Sequence, residues 1–279
     1  MPKPKVVVHT LVKNEQRWLW YALMSVIDQV DEILVWDTGS TDKTPEVVKC
    51  INSPKIKFRE VGPVDPAGHT AARQRMLEAT DADWIMILDG DEIWWHDSLA
   101  AHLQAIREHR DLSALISPVI NLVGDIYHQE GPVASHYHIG EYRGAFNIRF
   151  INRRIPGLHI SNPHGRQEYR DDHDTALQYF PPRKLHLVNK TYLHTTHLSR
   201  SVTRFMDKNT LKRGFKYRFE FGRSFGRDFI YPEVLYLPQP DMVPDPWTRR
   251  SMDYLSRCLL YEPARRVKKL FAHPPPDGY

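Results

Sequence analysis

Short apolar runs alternate with amphipathic segments over the first hundred residues of the chain. Continuous apolar runs are typical of strands buried on both faces of a parallel sheet. They predict strands at 6–11, 33–36, 55–61 and 84–88. Apolar positions at helical spacing predict helices at 17–29, around Val47 and Val48, and at 70–79. The resulting order, βαβαβαβ, predicts an α/β fold with a mainly parallel central sheet flanked by helices.

The pattern is less regular after residue 95. It predicts a helix at 98–110 capped by Asp97 or Ser98, and strands at 112–122, 145–151 and 192–198. We expect loops at 122–145 and 152–174, where glycine, proline and polar residues are frequent.

The composition changes again near residue 200. Basic and aromatic residues are interleaved from 200 to 227, which is typical of a solvated face with a packed side. A contact with phosphate, a lipid surface or a polyanionic acceptor is the alternative. Prolines are frequent in the last fifty residues, around one amphipathic segment at 247–260. We therefore predict an α/β domain at 1–200 and a helical or irregular C-terminal extension at 201–279.

Size, charge and cysteine content limit the classes of protein. A length of 279 residues suits one large α/β domain or two small ones. The formal charge of +4 is too small to indicate a nucleic-acid partner. The two cysteines, Cys50 and Cys258, are far apart, which argues against a disulfide scaffold and fits a reducing compartment.

No apolar run approaches the roughly 18 residues needed to cross a bilayer, and the first run is too short for a signal peptide. We expect a cytoplasmic protein, with peripheral contact at the inner face of the membrane left open.

Carboxylates follow the apolar run at 84–88 immediately, as Asp89, Asp91 and Glu92. An unpaired charge inside a sheet is costly, so they must emerge at the strand's carboxyl end, which is the edge where open α/β sheets bind ligands. Carboxylate oxygens suit Mg²⁺ or Mn²⁺ carrying a phosphorylated substrate. The alternative is an acidic turn, since Asp-Gly is common in turns.

Other polar residues are predicted at the same edge. Thr10 and Asp37 lie at the ends of the first two strands, and Arg73 lies on the helix before the carboxylates. Asp37 suits a nucleotide contact or a helix cap, and Arg73 suits a base or phosphate contact or a solvated face. No Gly-x-Gly-x-x-Gly follows the first strand, which argues against an ordinary dinucleotide-binding dehydrogenase.

Three segments together resemble a known family. They are Val-His-Thr-Leu-Val-Lys-Asn-Glu at 8–15, the stretch 30–44 with Asp-Thr-Gly-Ser-Thr-Asp at 37–42, and Asp-Gly-Asp-Glu at 89–92. In spacing and content they are similar to family 2 glycosyltransferases of the GT-A fold, a Rossmann-like α/β fold.

The resemblance implies roles for matching residues. Thr10, Glu15 and Asp37 match positions that contact the nucleotide of a sugar donor, and Arg73 matches an arginine that assists there. Asp89 and Asp91 match the Asp-x-Asp pair. The first of that pair lies near the ribose and the metal, and the second binds the metal that bridges the diphosphate.

Later segments carry weaker similarity. Residues 147–152 resemble the family's Arg-Leu-Phe-like strand, and 165–168 are similar to a segment that ends in a catalytic Glu. This implies Glu168 as the general base, with Asp171 or Asp172 as alternatives. The segment 194–199 resembles a late histidine segment that completes the metal site, with His197 preferred and His194 second.

We therefore predict a metal-dependent, inverting glycosyltransferase that uses Mn²⁺ or Mg²⁺ and a nucleotide-diphospho sugar. Asp91 and Glu168 are the predicted catalytic residues, and Asp89, Asp91 and His197 the predicted metal ligands. The acceptor is expected to be a hydroxyl of a glycan, a lipid-linked molecule or a small molecule. A nucleotidyltransferase-like enzyme and a non-catalytic nucleotide-sugar-binding module are the alternatives, and the oligomeric state is open.

Overall fold

A large central sheet organises the molecule. The computed structural model describes residues 3–131, 137–200 and 218–271, without the side chains of 264–271. Its main path runs in the order β15-β7-β6-β10-β4-β1-β2-β3, with β13 and β14 beside β6, and β5 beside β14. The strands of this sheet are β1 Val6–Val12, β2 Glu32–Asp37, β3 Ile56–Glu60, β4 Trp84–Ile87, β5 Glu92–Trp94, β6 Ala114–Val123, β7 Asp125–Gln129, β10 Phe146–Asn152, β13 Leu185–Leu187, β14 Tyr192–His197 and β15 Arg223–Ser224.

The predicted βαβαβαβ unit forms the parallel part of this sheet. Strand β1 pairs in parallel with β2 on one side and β4 on the other, and β3 pairs in parallel with β2. Strand β10 then runs antiparallel to both β4 and β6. The carboxyl ends of β1, β2 and β4 therefore meet at one edge, as the sequence predicts. The α/β fold with helices around a central sheet is confirmed.

Helices cover the sheet and join its strands. They are α1 Leu19–Val26, α2 Thr44–Cys50, α3 Pro66–Glu78, α4 His96–Glu108 and α5 Met252–Phe271, with 3-10 turns at Leu177–Tyr179, Pro182–Lys184 and Glu233–Tyr236. Helix α3 begins four residues before its predicted start at 70. The Asp65 side chain caps it by accepting from Gly68 N at 2.6 Å, and Pro66 fits the first turn. The predicted cap of α4 is wrong, because its N-cap is Trp95 without a side-chain bond.

The segment 122–145, expected to be a loop, contains strands in its described part. Strand β7 pairs with β6, while β8 Tyr137–Ile139 and β9 Tyr142–Gly144 form a separate hairpin. A second hairpin, β11 His159–Ser161 with β12 Glu168–Arg170, lies in the expected loop at 152–174. These strands are short, so they contain too few residues to show the alternation of apolar and polar positions that identifies a strand in the sequence.

The main hydrophobic core joins early and late parts of the chain. Buried side chains of α1 pack in the same cluster as Tyr231, Val234, Leu235 and Val243. The two-domain division at residue 200 stays a prediction. Most of the basic and aromatic stretch predicted at 200–227 lies outside the described residues.

Helix α5 forms where the amphipathic segment is predicted, but it begins at Met252 and continues to Phe271. Its Tyr254 hydroxyl donates to Arg218 O at 2.7 Å and accepts from Glu220 N at 3.2 Å, which fixes the helix against the preceding chain. In the described part of the chain, no helix is long and apolar enough to cross a membrane.

Two glycines provide a matched test of the contact between α5 and the β6–β7 turn. Gly124 and Gly62 both have φ +76°, a left-handed conformation, but a Cβ on Gly124 would lie 2.7 Å from Tyr254 Cε1, whereas one on Gly62 meets nothing within 4 Å. We expect Gly62→Ala to lower the free energy of unfolding by about 1 kcal/mol. Gly124→Ala should cost about 1–3 kcal/mol more, because the methyl group displaces Tyr254. Equal losses in urea denaturation would contradict this packing.

Candidate active site

The Asp89–Asp91 turn lies against the end of β1. Strand β4 ends at Ile87, and the next residues turn out of the sheet. A Cβ on Gly90 would lie 3.1 Å from both Val12 Cγ1 and Glu15 Cγ, so glycine permits this approach. The three carboxylates Asp89, Asp91 and Glu15 consequently line one pocket.

Asp89 faces two arginines. Arg73, from α3, lies 3.6 Å from one carboxylate oxygen, and Arg149, from β10, donates to the other at 3.1 Å. Arg149 also pairs with Glu92, which is fully buried. Burial raises the pKa of Glu92 to about 7, and the positive charge of Arg149 opposes that rise. Arg149 thus contacts both the partly exposed Asp89 and the buried Glu92.

Arg149 owes its direction to local backbone irregularity. The pairing of β10 with β6 shifts register between Ile148 and Phe150, and such bulges re-aim side chains. The hydroxyl of Tyr192 accepts from Arg149 Nε at 3.2 Å, and the ring of Tyr192 stacks on Trp94 at 4.7 Å. The buried aromatic core therefore fixes the arginine beside the carboxylates.

Asp91 is held by groups from the end of β14. His194 Nε2 lies 3.3 Å from Asp91 Oδ1, and the Thr195 N–H donates to the Asp91 carbonyl at 2.8 Å. Arg200 pairs with the other Asp91 oxygen and with Glu15. Its guanidinium therefore bridges two carboxylates whose side chains are 5% and 6% exposed.

Asp37 and Asn14 order the loops at the neighbouring strand ends. Asp37 accepts from Gly39 N at 2.9 Å and from Ser40 N at 2.8 Å, and its other oxygen accepts from the Ser40 hydroxyl. Asn14 Oδ1 accepts from Thr41 N at 2.7 Å. The Asp-Thr-Gly-Ser-Thr-Asp segment is therefore a hydrogen-bonded turn, and it presents Thr38 to the pocket.

His9 lies in β1, three residues before the strand ends at Val12. It is fully buried, and its Nε2 is 2.6 Å from Thr80 Oγ1. Burial, with the nearby charges of Arg73 and Arg153, lowers the pKa of His9 to about 3. The ring is therefore neutral at physiological pH and adds no charge beneath the pocket.

The pocket collects side chains from every strand end predicted to meet there. Its lining residues are Leu11, Val12, Lys13, Glu15, Thr38, Val64, Asp65, Pro66, His69, Arg73, Asp89, Gly90, Asp91, His164, His194 and Arg200. One end is charged, around Asp89, Asp91 and Arg200. The other end is bounded by Val64 and Pro66.

The Glycosyl transferase family 2 model matches residues 7–170, more than half of the 279-residue chain. The chain belongs to this family. The matched range contains the parallel strands and both Asp89 and Asp91, so the predicted family and the predicted GT-A type of α/β fold are confirmed.

Individual relatives of this family 2 chain are distant. A TPR repeat-containing protein of Synechococcus elongatus is 39% identical over 82 residues, which is 29% of this chain and 19% of that protein. The prophage-derived glycosyltransferase SunS of Bacillus subtilis is 23% identical over 241 residues, covering 74% of this chain and 55% of SunS. The chain therefore spans only about half, or less, of the length of these relatives.

A solved structure of S. aureus TarS in complex with UDP-GlcNAc is 14% identical to the family 2 chain. The match covers 71% of this chain and 60% of the TarS chain, with a TM-score of 0.47.

The structure brings together only some of the predicted site residues of this family 2 protein. Glu15, Arg73, Asp89 and Asp91 line the pocket, as does His194, the second choice for the late histidine. The others, Thr10, Asp37, Glu168 and His197, are not among the lining residues.

Thr10 is fully buried within β1, and His197 Nε2 lies 3.9 Å from a carboxylate oxygen of Glu130. In the described ranges, no group of three or more His, Cys, Asp or Glu side chains is arranged to hold a metal ion. The predicted set Asp89, Asp91 and His197 is therefore not assembled here.

Glu168 lies on β12 and is engaged by its own neighbours. It pairs with Arg170 at 2.6 Å and accepts from Gln178 at 2.7 Å and Asn162 at 2.9 Å. Gln167, the residue before it, instead contacts His69 and Thr70 of α3. The alternation of a strand thus directs Glu168 away from α3.

Several residues that line the pocket or contact its carboxylates were not predicted as site residues. Arg149 and Glu92 lie in segments that resemble the family, but nothing in the sequence indicates that they contact one another. Arg200 is one of many basic residues between 200 and 227, and nothing in the sequence distinguishes it from the others. His69 precedes Arg73 by one helical turn and shares its face of α3, but the predicted helix begins at 70 and leaves His69 out. Nothing in the sequence marks His164 as a neighbour of His69.

Proposed function

We propose that this protein transfers a glycosyl group from a nucleotide-diphospho sugar to an acceptor hydroxyl. The observation that carries the proposal is the pocket at the carboxyl ends of β1, β2 and β4, where Asp89, Asp91, Arg73 and Arg200 meet. A charged end beside a wall that includes Val64 and Pro66 suits a donor with a diphosphate and a nucleoside. The acceptor is a hydroxyl of a glycan, a lipid-linked molecule or a small molecule.

Two side chains at the charged end carry donor atoms of the kind that divalent cations bind, although the described residues include no group of three such side chains arranged around one ion. Asp91 and His194 supply oxygen and nitrogen ligands 3.3 Å apart, and Asp89 lines the same pocket. The carboxylates of Asp91 and Glu15 hold the positive guanidinium of Arg200 between them, so this position favours positive charge. We propose that Asp91 and Asp89 would hold Mn²⁺ or Mg²⁺ when the donor binds, with His194 preferred to His197 as a further ligand. The metal would neutralise charge on the departing diphosphate.

We further propose a single displacement that inverts the anomeric centre, in which a carboxylate accepts the proton of the acceptor hydroxyl. Glu168 remains our prediction for this base, and Asp171 and Asp172 are the alternatives on the same turn. The contact of Gln167 with α3 keeps this segment beside the pocket. The pairing of Glu168 with Arg170 favours the second candidate function, a module that binds nucleotide sugars without turnover.

The direct test is release of nucleoside diphosphate from a panel of sugar nucleotides with Mn²⁺, with and without chelator. We expect release from at least one donor, and loss of more than about a hundredfold in Asp91→Asn, because the variant would no longer hold the cation that compensates the charge of the leaving group. Glu168→Gln should keep donor binding and lose turnover. The exposed Asp253, 69% accessible on α5, provides the matched control Asp253→Asn, which should be unaffected.

The possible results separate the candidate functions. Donor binding without release in the wild type would support the binding module. Release that Glu168→Gln leaves intact would move the base to Asp171 or Asp172. Absence of both binding and release for every donor would overturn the proposal.

Arg200 provides a test of the cation site that does not depend on activity. Arg200→Gln leaves the buried carboxylates Glu15 and Asp91 without their shared guanidinium. We expect the free energy of unfolding to fall by about 3 kcal/mol in chelator, because breaking a buried ion pair is costly. Mn²⁺ should restore more stability to this variant than to the wild type.

Urea denaturation with Mn²⁺ or EDTA makes this measurement. Arg257→Gln is the control, since Arg257 is 50% exposed and pairs with an exposed Asp253. Equal effects of Mn²⁺ on the wild type and on Arg200→Gln would argue against a cation at Asp91.

We also propose that the protein works in the cytoplasm, in peripheral contact with the inner face of the membrane. On α5, Met252, Leu259 and Leu260 are 78%, 67% and 75% exposed. The sequence adds basic residues in the same helix at 265, 266, 268 and 269. An exposed apolar stripe with basic neighbours suits an anionic lipid surface.

Sedimentation with vesicles checks this contact. The protein should bind phosphatidylglycerol vesicles more strongly than phosphatidylcholine vesicles, and Leu259→Asp with Leu260→Asp should lower that binding by about tenfold or more. Tyr179→Asp, at a residue 58% exposed on another element, is the control. Equal binding of both vesicle types, or of both variants, would overturn the proposal.

A further inference from the structure

Two histidines form part of the pocket wall on the side of α3. His69 lies in the first turns of α3, and His164 lies in the loop between β11 and β12. Their ring centroids are 4.0 Å apart, with the rings tilted by 46°. Both line the pocket, and both are half-buried. We refer to His69 and His164 as the histidine pair.

Hydrogen bonds between α3 and the β11–β12 hairpin hold the histidine pair in place. The Gln167 amide contacts His69 Nδ1 at 3.2 Å and donates to Thr70 Oγ1 at 2.8 Å. Thr70 Oγ1 donates to Asn162 O at 2.7 Å, and His164 N donates to Pro66 O at 3.1 Å. These bonds tie α3 to the hairpin and so fix the positions of both histidines in the pocket wall.

The position of the histidine pair along the pocket indicates its role. His69 and Arg73 are four residues apart on α3, or about 6 Å along the helix axis. Arg73 is the residue that contacts Asp89 at the charged end. On the other side, Pro66 and Asp65 begin the helix and also line the pocket. The histidine pair therefore lies one turn beyond the charged end, toward the end that contains Val64 and Pro66.

A nucleoside diphosphate carries its charge at one end and a flat aromatic base at the other. The charged end of the pocket suits the diphosphate, which leaves the base near the other end. Imidazole rings present faces for stacking and nitrogen atoms that donate or accept hydrogen bonds. We propose that the histidine pair binds the nucleobase of the sugar donor and contributes to the choice of nucleotide. This inference rests on the proposed function, because it requires a nucleotide donor.

Isothermal titration with nucleoside diphosphates and with inorganic pyrophosphate, both with Mn²⁺, separates the two ends of the pocket. UDP, GDP, ADP and CDP identify the preferred base in the wild type. His69→Ala and His164→Ala should each weaken binding of that nucleotide by about tenfold or more, since they remove a stacking face. Binding of pyrophosphate should change less than about twofold. His173→Ala, at a loop histidine 82% exposed, is the matched control and should bind both probes normally.

The outcomes distinguish this inference from the proposed function. If the wild type binds no nucleoside diphosphate, the proposed function fails, and the inference fails with it. If the wild type binds one and both alanine variants bind it equally well, only the role of the histidine pair is overturned. Equal weakening of nucleotide and pyrophosphate would also overturn it, because the effect would then not belong to the base.

A measurement on the folded wild type covers the case in which the alanine variants do not fold. In protein labelled with ¹³C in the histidine rings, the signals of His69 and His164 are assigned from His69→Phe and His164→Phe. We expect both signals to shift when the preferred nucleotide binds and to stay in place when pyrophosphate binds. Unshifted signals with bound nucleotide would contradict a contact with the base.

Discussion

Buried carboxylates at the edge of the parallel sheet must find positive partners, and much of the site follows from this constraint. An uncompensated buried charge costs several kcal/mol, so the acidic residues that leave β1 and β4 require arginines from elsewhere in the chain. Arg73 comes from α3, Arg149 from β10 and Arg200 from the chain after β14. Each ion pair joins segments that are far apart in sequence, so the site and the fold are assembled together.

Irregular strands complete this assembly. Register shifts occur beside Arg149 in β10 and between His194 and His197 in β14. A regular strand would alternate these side chains between opposite faces, whereas a bulge changes the direction of one residue. The shift in β10 accompanies the contact of Arg149 with Asp89 and Glu92. In β14, His194 contacts Asp91 and His197 lies beside Glu130.

These register shifts also explain which parts of the fold and of the site the sequence predicts. Apolar runs such as 84–88 are local, and they predict the parallel strands, their common edge and the carboxylates that emerge there. Partners across the sheet depend on pairing register, which no local pattern records. This is why Asp89 was predicted in the pocket, whereas Arg149 was not predicted as its neighbour and His197 was preferred to His194. Asp37 shows a further limit of sequence-based prediction. A polar residue at the end of a strand can accept hydrogen bonds from the backbone of the next turn and need not line the pocket.

The β11–β12 hairpin shows how alternation assigns neighbouring residues to different tasks. Gln167 contacts α3 and positions His69, whereas Glu168 contacts Arg170 and Gln178 on the other side of the strand. Sequence similarity matches a segment and does not resolve which of two adjacent side chains faces the ligand. A one-residue change in register would exchange the two faces of β12. The bonds of Gln167 and Thr70 to one another and to their neighbours oppose that exchange, so the hairpin presents His164 to the pocket as a consequence of its pairing with α3.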